Sequence, residues 1–296
     1  MSATQLTAWI GLPRGKFYQW KDRYGTPNDH NGKVPRDWWL ADWEKKAIVG
    51  YHDDHPMVGY RRLTYMMMDA DVVVASPATV YKVLCDAGRM GRRTPTHSAK
   101  GKGFKQPEKP HEHWHVDISY INCGGTFYYL ITVLDGFSRM IVHHDLRESM
   151  TELDVEIVCQ RALEKYEGVT PRIISDNGPQ FIAGDFKSFI RQNNMTHVRT
   201  SPYYPQSNGK LERWHGSLKQ ECVRPSCPRD APEAIAKIDA YVVHYNEERL
   251  HSGIGYITPA DRLAGRSKEI HDRRDAQIVA ARARRKAEAQ AARRVA

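Results

Sequence analysis

Residues 113–121 read HWHVDISYI, and their alternation is that of a half-buried strand: Trp114, Val116, Ile118 and Tyr120 share one face, while Asp117 lies on the other. The next four residues, Asn122-Cys123-Gly124-Gly125, read as a hairpin turn. Two further β-rich runs, 127–134 and 140–144, are joined through Asp135-Gly136-Phe137-Ser138. A three-stranded antiparallel meander is therefore predicted, with Asp135 fixing the turn through its own side chain.

Downstream the period changes. Thr151 with Asp154 forms a capping-box signature ahead of Leu153, Ile157, Val158 and Leu163, and Gly168 stops that helix. A short strand over 172–175 ends at Asp176-Asn177-Gly178-Pro179. A helix capped by Asp185 follows, then a fifth strand over 196–200. Two longer helical stretches, 209–223 and 232–249, close the segment. The order is βββαβαβ and then helices, an α/β class with a mixed five-stranded sheet and flanking helices.

A crossover after the third strand can return the fourth to lie beside the first. Asp117 and Asp176 then come within reach of a shared ion, with Glu212 one turn into the following helix. Such a set suits Mg²⁺, which takes oxygen ligands and keeps room for water and phosphate. A pair of such ions can activate an attacking oxygen and stabilise a leaving one at a phosphodiester. Without metal the three like charges would repel.

Outside this segment the chain is basic. Lys and Arg number 44 against 35 Asp and Glu, a balance that favours a polyanionic partner. Residues 91–110 read as a basic linker, and 265–296 as a basic Ala/Arg-rich tail with helix propensity but almost no apolar stripe. That tail is expected to be a solvated or DNA-ordered segment, removable without cost to the core. Residues 1–90 read as a helical, helix–turn–helix-like DNA-binding region. It has one pivot at Gly11-Leu12-Pro13 and a clearer second pair, 60–69 and the helix opened by Ser76-Pro77. Residues 111–264 carry the strands, the later helices and the three acids. Five scattered cysteines lack zinc-finger spacing, and His111, His113, His115, His143 and His144 split between strand faces. No apolar run is long enough for a bilayer, so a cytoplasmic protein is expected.

Five stretches together, HWHVDISYI, YLITVLDGFSRMIV, RIISDNGPQF, SPYYPQSNGKLERWHGSLKQE and YNEERLHSGIGYITPADRL, resemble the DDE transposases and retroviral integrases. Among these the chain looks most like the OrfB-type transposases of bacterial insertion sequences. Thirty-five residues separate Asp176 from Glu212. The resemblance implies a ribonuclease H-like core with Asp117, Asp176 and Glu212 as catalytic, metal-binding carboxylates. It also implies two Mg²⁺ ions, with Mn²⁺ able to substitute, and a reaction of DNA cleavage followed by strand transfer. Helical spacing sets Asn208 and Lys219 on the face of Glu212. Together with Lys210 and Arg213, these are the expected DNA contacts. A homo-oligomer on DNA is expected. OrfB-type transposases are often made as fusions with an upstream DNA-binding, coiled-coil protein, and no sustained heptad is visible here, so the resemblance implies a DNA-binding partner encoded upstream. The histidine–cysteine zinc module of retroviral integrases has no counterpart here. Two rivals remain: a catalytically inactive DNA-binding regulator, and a ribonuclease H-type nuclease without strand transfer. No Arg/His/Tyr constellation points to a tyrosine or serine recombinase.

Overall fold

The computed structural model describes residues 2–25, 39–91, 106–199 and 209–295. Most of the basic linker, together with Asn208, lies outside the described residues. The chain groups into two compact units, Met1–Asp42 with Ala280–Ala296, and Trp43–Val279. In the smaller unit α1 (Ala3–Trp9) and α2 (Arg14–Asp22) flank a turn at Gly11, whose φ of 65° suits glycine. In the larger unit come first α3 (Asp42–Asp54), α4 (Tyr60–Asp69) and α5 (Pro77–Asp86). Ser76 caps α5 by accepting from the Thr79 N–H, with Pro77 opening the helix as its sequence requires.

The meander follows as β1 (His113–Cys123), β2 (Thr126–Asp135) and β3 (Ile141–Arg147). Next are α6 (Glu152–Lys165), β4 (Arg172–Ser175), α7 (Pro179–Ile182), α8 (Gly184–Gln192) and β5 (Thr196–Arg199). The sheet order is β3-β2-β1-β4-β5, antiparallel across the meander and parallel from β1 to β4 to β5. The expected mixed sheet and crossover are both present, and the architecture is ribonuclease H-like.

Alternation along the strands divides the interior between two faces. Trp114, Val116, Ile131, Val133 and Ile173 pack beneath Val155, Val158 and Cys159 of α6 and Phe186 and Ile190 of α8. Ile121, Cys123, Leu130 and Leu134 meet α9 (Gly209–Leu218) and α11 (Ala231–Glu247) on the opposite face. Leu211, Trp214 and Leu218 line one stripe of α9, and all three are buried.

The stretch expected as one helix over 209–223 is not uniform. After Leu218 it widens into a π turn at Lys219–Val223, then tightens as α10 (Arg224–Ser226). α11 is capped by Asp230, and α12 (Pro259–Leu263) by Thr258.

The basic tail also differs from expectation. Residues 267–295 form α13 (Ser267–Val295), and its first half is tied down. Arg274, 3 % exposed, donates to both carboxylate oxygens of Asp69 at 2.9 and 2.6 Å and to the Tyr256 carbonyl at 2.8 Å. Its guanidinium also lies over the Tyr65 ring. Gln277 donates to the Met68 carbonyl and to Asp71. The sequence hid this because the contacts are polar, so no apolar stripe announces the packed face. None of the described helices is long and apolar enough to cross a membrane.

Arg274 is the buried member of this pair, and removing it loses its bonds to Asp69 and the Tyr256 carbonyl and its packing on Tyr65, while Arg273 stays 3.2 Å from Asp69. Arg274→Ala should therefore lower stability by about 2 kcal/mol in thermal melts followed by circular dichroism. Lys268→Ala, on the exposed side of the same helix, should leave the melt unchanged. An unchanged melt for Arg274→Ala would return this stretch of α13 to a solvated helix.

Candidate active site

Asp117 sits inside β1 on the face that carries Ile121 and Cys123, so the pleat aims it at the α9 layer. The β1–β4 register pairs His115 with Ile174. Continued by two residues, it sets Asp176, the first residue beyond β4, level with Asp117. An Asx-type turn holds Asp176 there, its Oδ1 accepting from the Gly178 N–H at 2.9 Å, and the chain then enters α7 through Pro179. Glu212 lies in the first turn of α9, exposed, while Leu211 and Trp214 on either side anchor the helix to the sheet.

The three carboxylates act on one another. Burial, with the charges of Asp176 and Glu212 adding to it, pushes the Asp117 carboxyl up to about 7 against the opposing backbone bond from Ile118 and the pull of Lys219. At neutral pH such a group is partly protonated, because burial disfavours its charged form. Among the described residues, no three His, Cys, Asp or Glu side chains stand close enough together to hold an ion in this arrangement.

Lys219, the first residue of the π turn, faces this cluster. Burial lowers its ammonium and Arg224 adds to the effect, while Asp117 acts in the opposite sense. Arg213 is exposed beside Glu212. Lys210 is engaged inside the fold: its Nζ donates to the Gly136 carbonyl at 2.9 Å, and burial, with Arg139 nearby, lowers it to about 7. Asp135 has the turn role expected of it. It is fully buried and accepts from the Ser138 N–H at 2.7 Å, the Ser138 hydroxyl at 2.6 Å and the His111 N–H at 2.9 Å. The Lys210 and Asp135 contacts brace the 136–139 loop beneath α9.

Glu221, nine residues beyond Glu212, belongs to a different network. Burial would raise its carboxyl, but Arg249 holds it below the usual carboxylate range through bonds of 2.8 and 2.6 Å. The Tyr241 hydroxyl donates to it as well, at 2.8 Å. The other histidines have local partners: His111 Nδ1 accepts from the Trp114 indole, and His144 meets Asp239 at 2.8 Å.

One residue at the site escaped the sequence reading. His215, one turn beyond Glu212, is buried with Nδ1 at 3.6 Å from Asp117 Oδ2. That is too long for a hydrogen bond. Burial, with Lys219 nearby, pushes the imidazole down to about 3, so it stands as a neutral wall against Asp117. Its signal was available in the spacing Glu212-x-x-His215-x-x-x-Lys219, three polar residues on one helical stripe.

Comparison with known proteins agrees with this architecture. Two family models described as integrase core domain match residues 107–205 and 193–259. An insertion element IS136 protein of Agrobacterium fabrum is 31 % identical over 145 residues, covering 47 % of this chain and 74 % of that protein. The transposase of insertion sequence element IS629 from Shigella sonnei is 22 % identical over 269 residues, covering 86 % of this chain and 89 % of its own length. Among solved structures, the simian T-cell lymphotropic virus intasome aligns with a TM-score of 0.50 and 20 % identity over 73 % of this chain and 74 % of that one, a likeness of fold. The chain belongs to the integrase-core family: it is an insertion-sequence transposase of the retroviral-integrase-like superfamily, and its function is DNA integration and transposition.

Proposed function

We propose that Asp117, Asp176 and Glu212 are the catalytic carboxylates of a DDE-type polynucleotidyl transferase that cuts DNA at the element's ends and joins the freed 3′-hydroxyl to target DNA. The observation that carries this reading is the parallel β1–β4 register, whose continuation by two residues sets Asp176 at the end of β4 level with Asp117, with Glu212 on the helix packed above the sheet. The donor set fits a divalent cation. All three groups offer hard oxygen, and Asp117 is held up near 7 by burial and by its two acidic neighbours, a strain that a cation relieves. Mg²⁺, with Mn²⁺ as a substitute, would be held by these three side chains and would supply Lewis acidity at the phosphodiester.

The chain's own residues supply the rest. Asp117 is fixed inside the sheet and Asp176 by the turn at the end of β4, so both stand on a rigid frame. Glu212 stands on the exposed edge of α9, where an arriving strand can meet it. Neutral His215 fills the space behind Asp117 and keeps bulk water from that side. Lys219 offers a point charge to a phosphate beside the carboxylates, and Arg213 a second one on the outer surface. Asn208 is assigned to DNA contact on spacing alone, and Lys210 reaches DNA only if it leaves the Gly136 carbonyl.

Around this core we read residues 1–90 as a DNA-binding region and 91–110 as a basic linker ahead of the catalytic segment 111–264. We also infer that the protein assembles as a homo-oligomer on DNA, with an upstream-encoded partner helping to recognise the ends.

Glu212→Gln keeps shape and removes a ligand charge. Joining of a pre-cleaved, labelled end should fall about a thousandfold with DNA affinity retained. A variant that still joins ends near the normal rate would remove Glu212 from the triad. Joined products from the wild type would also exclude both a purely hydrolytic nuclease and an inactive regulator.

Asp117 gives a pH prediction. Folded and without divalent cation it keeps its proton to about pH 7; its usual value is 3.8. Between those values the folded chain binds more protons than the unfolded one, so stability falls as pH rises and levels off above about 7. Asp117→Asn removes this loss. In metal-free melts the variant should match wild type at pH 4 and exceed it at pH 8 by on the order of 1–3 kcal/mol. Added Mg²⁺ at pH 8 should raise the wild-type melt alone. Parallel melts from pH 4 to 8 would contradict the assignment.

A further inference from the structure

Beyond Asp117 the two edges of β1 are not alike. β2 accompanies it as far as Cys123, whereas the pairing with β4 ends at His115 and β4 itself stops at Ser175. Residues 118–123 thus run on with no strand on the β4 side among the described residues. Alongside them lies a groove of about 560 Å³.

Its walls are built by two irregularities. The π turn at Lys219–Val223 widens the helix where it passes the strand, a departure that tends to mark functional positions. The chain then reverses through Cys227, whose φ of 43° is left-handed, and brings Arg229 beneath the hairpin. Gly124, with a φ of 57°, meets it there: a Cβ at this position would collide with the Arg229 carbonyl. Only glycine lets the hairpin tip close the end of the groove.

Three cations line it, Lys219, Arg224 and Arg229. None of them makes a side-chain ion pair among the described residues, in contrast to Arg147, Arg249 and Arg274. The acids close in sequence are occupied elsewhere, Asp230 capping α11 and Glu233 accepting from the Arg229 backbone. At the rim Phe127 is 58 % exposed. Two arginines without an ion partner, a lysine at the carboxylate end and an exposed aromatic make the pattern that binds single-stranded nucleic acid, phosphates on the charges and a base on the ring.

We propose that this groove holds an unpaired stretch of DNA strand leading away from the carboxylates, with its phosphates on Lys219, Arg224 and Arg229 and one base stacked on Phe127. Only the direction of the strand rests on the carboxylate assignment. Strand binding itself needs no catalysis.

The test uses the full chain without divalent cation, measuring fluorescence anisotropy of labelled oligothymidylate and of a labelled blunt duplex across a salt series. Phe127→Ala should weaken oligothymidylate binding about tenfold. Phe127→Trp should restore it, and the blunt duplex should be little affected by either change. The double variant Arg224→Ala, Arg229→Ala should flatten the slope of log affinity against log salt by about 1.4 on oligothymidylate. Equal losses on both DNAs, or no loss on the single strand, would overturn the proposal. Asp117→Asn should bind oligothymidylate at least as well as wild type. If that variant still joined ends, the carboxylate reading would fall while the groove stood.

Discussion

The parallel pairing of β4 with β1 is the contact on which this protein's chemistry depends. Three residue pairs, from His113 with Arg172 to His115 with Ile174, set the register. A slip of one residue would turn β4's side chains to the wrong face and take Asp176 away from Asp117. The register is held from one side by Trp114, Val116 and Ile173 packed under α6 and α8. A right-handed crossover through α6 is the usual way to bring such a strand home, and the Thr151–Asp154 capping box starts that helix at the right place.

The opposite face has another task. Burying α9 through Leu211, Trp214 and Leu218 holds Glu212 over the sheet while leaving it exposed, and brings His215 against Asp117. The cost is a carboxyl held near 7 inside a cluster of like charge. Nearby polar groups are satisfied far more completely: Asp135 accepts three bonds, and Glu221 is clamped by Arg249 and Tyr241. The contrast separates structural acids from those left wanting a counter-charge, and such uncompensated groups gather at functional sites.

Much of this was legible in the sequence because the signals are periodic or local. Alternation in HWHVDISYI gave β1 and the face of Asp117; Ser76-Pro77 and Thr151 marked helix starts; Asp135 declared a turn. What stayed hidden depends on contacts distant in sequence or on departures from regular geometry. The docking of α13 runs through Arg274 and Asp69, two polar residues far apart in the chain, so its packed face carries no apolar stripe. The π turn at Lys219 has no compositional mark, and the tight approach of Gly124 to Arg229 joins a hairpin to a loop about a hundred residues on. His215 was visible as spacing, yet its role follows only from burial beside Asp117.

The central claim, that Asp117, Asp176 and Glu212 form one cation-binding centre, is tested most directly by Mn²⁺ binding followed by electron paramagnetic resonance at pH 8. Wild type should bind the ion, and Asp117→Asn, Asp176→Asn and Glu212→Gln should each weaken that binding while the far-ultraviolet circular dichroism stays unchanged. Equal Mn²⁺ binding by wild type and all three variants would show that the carboxylates do not share an ion and would contradict the account.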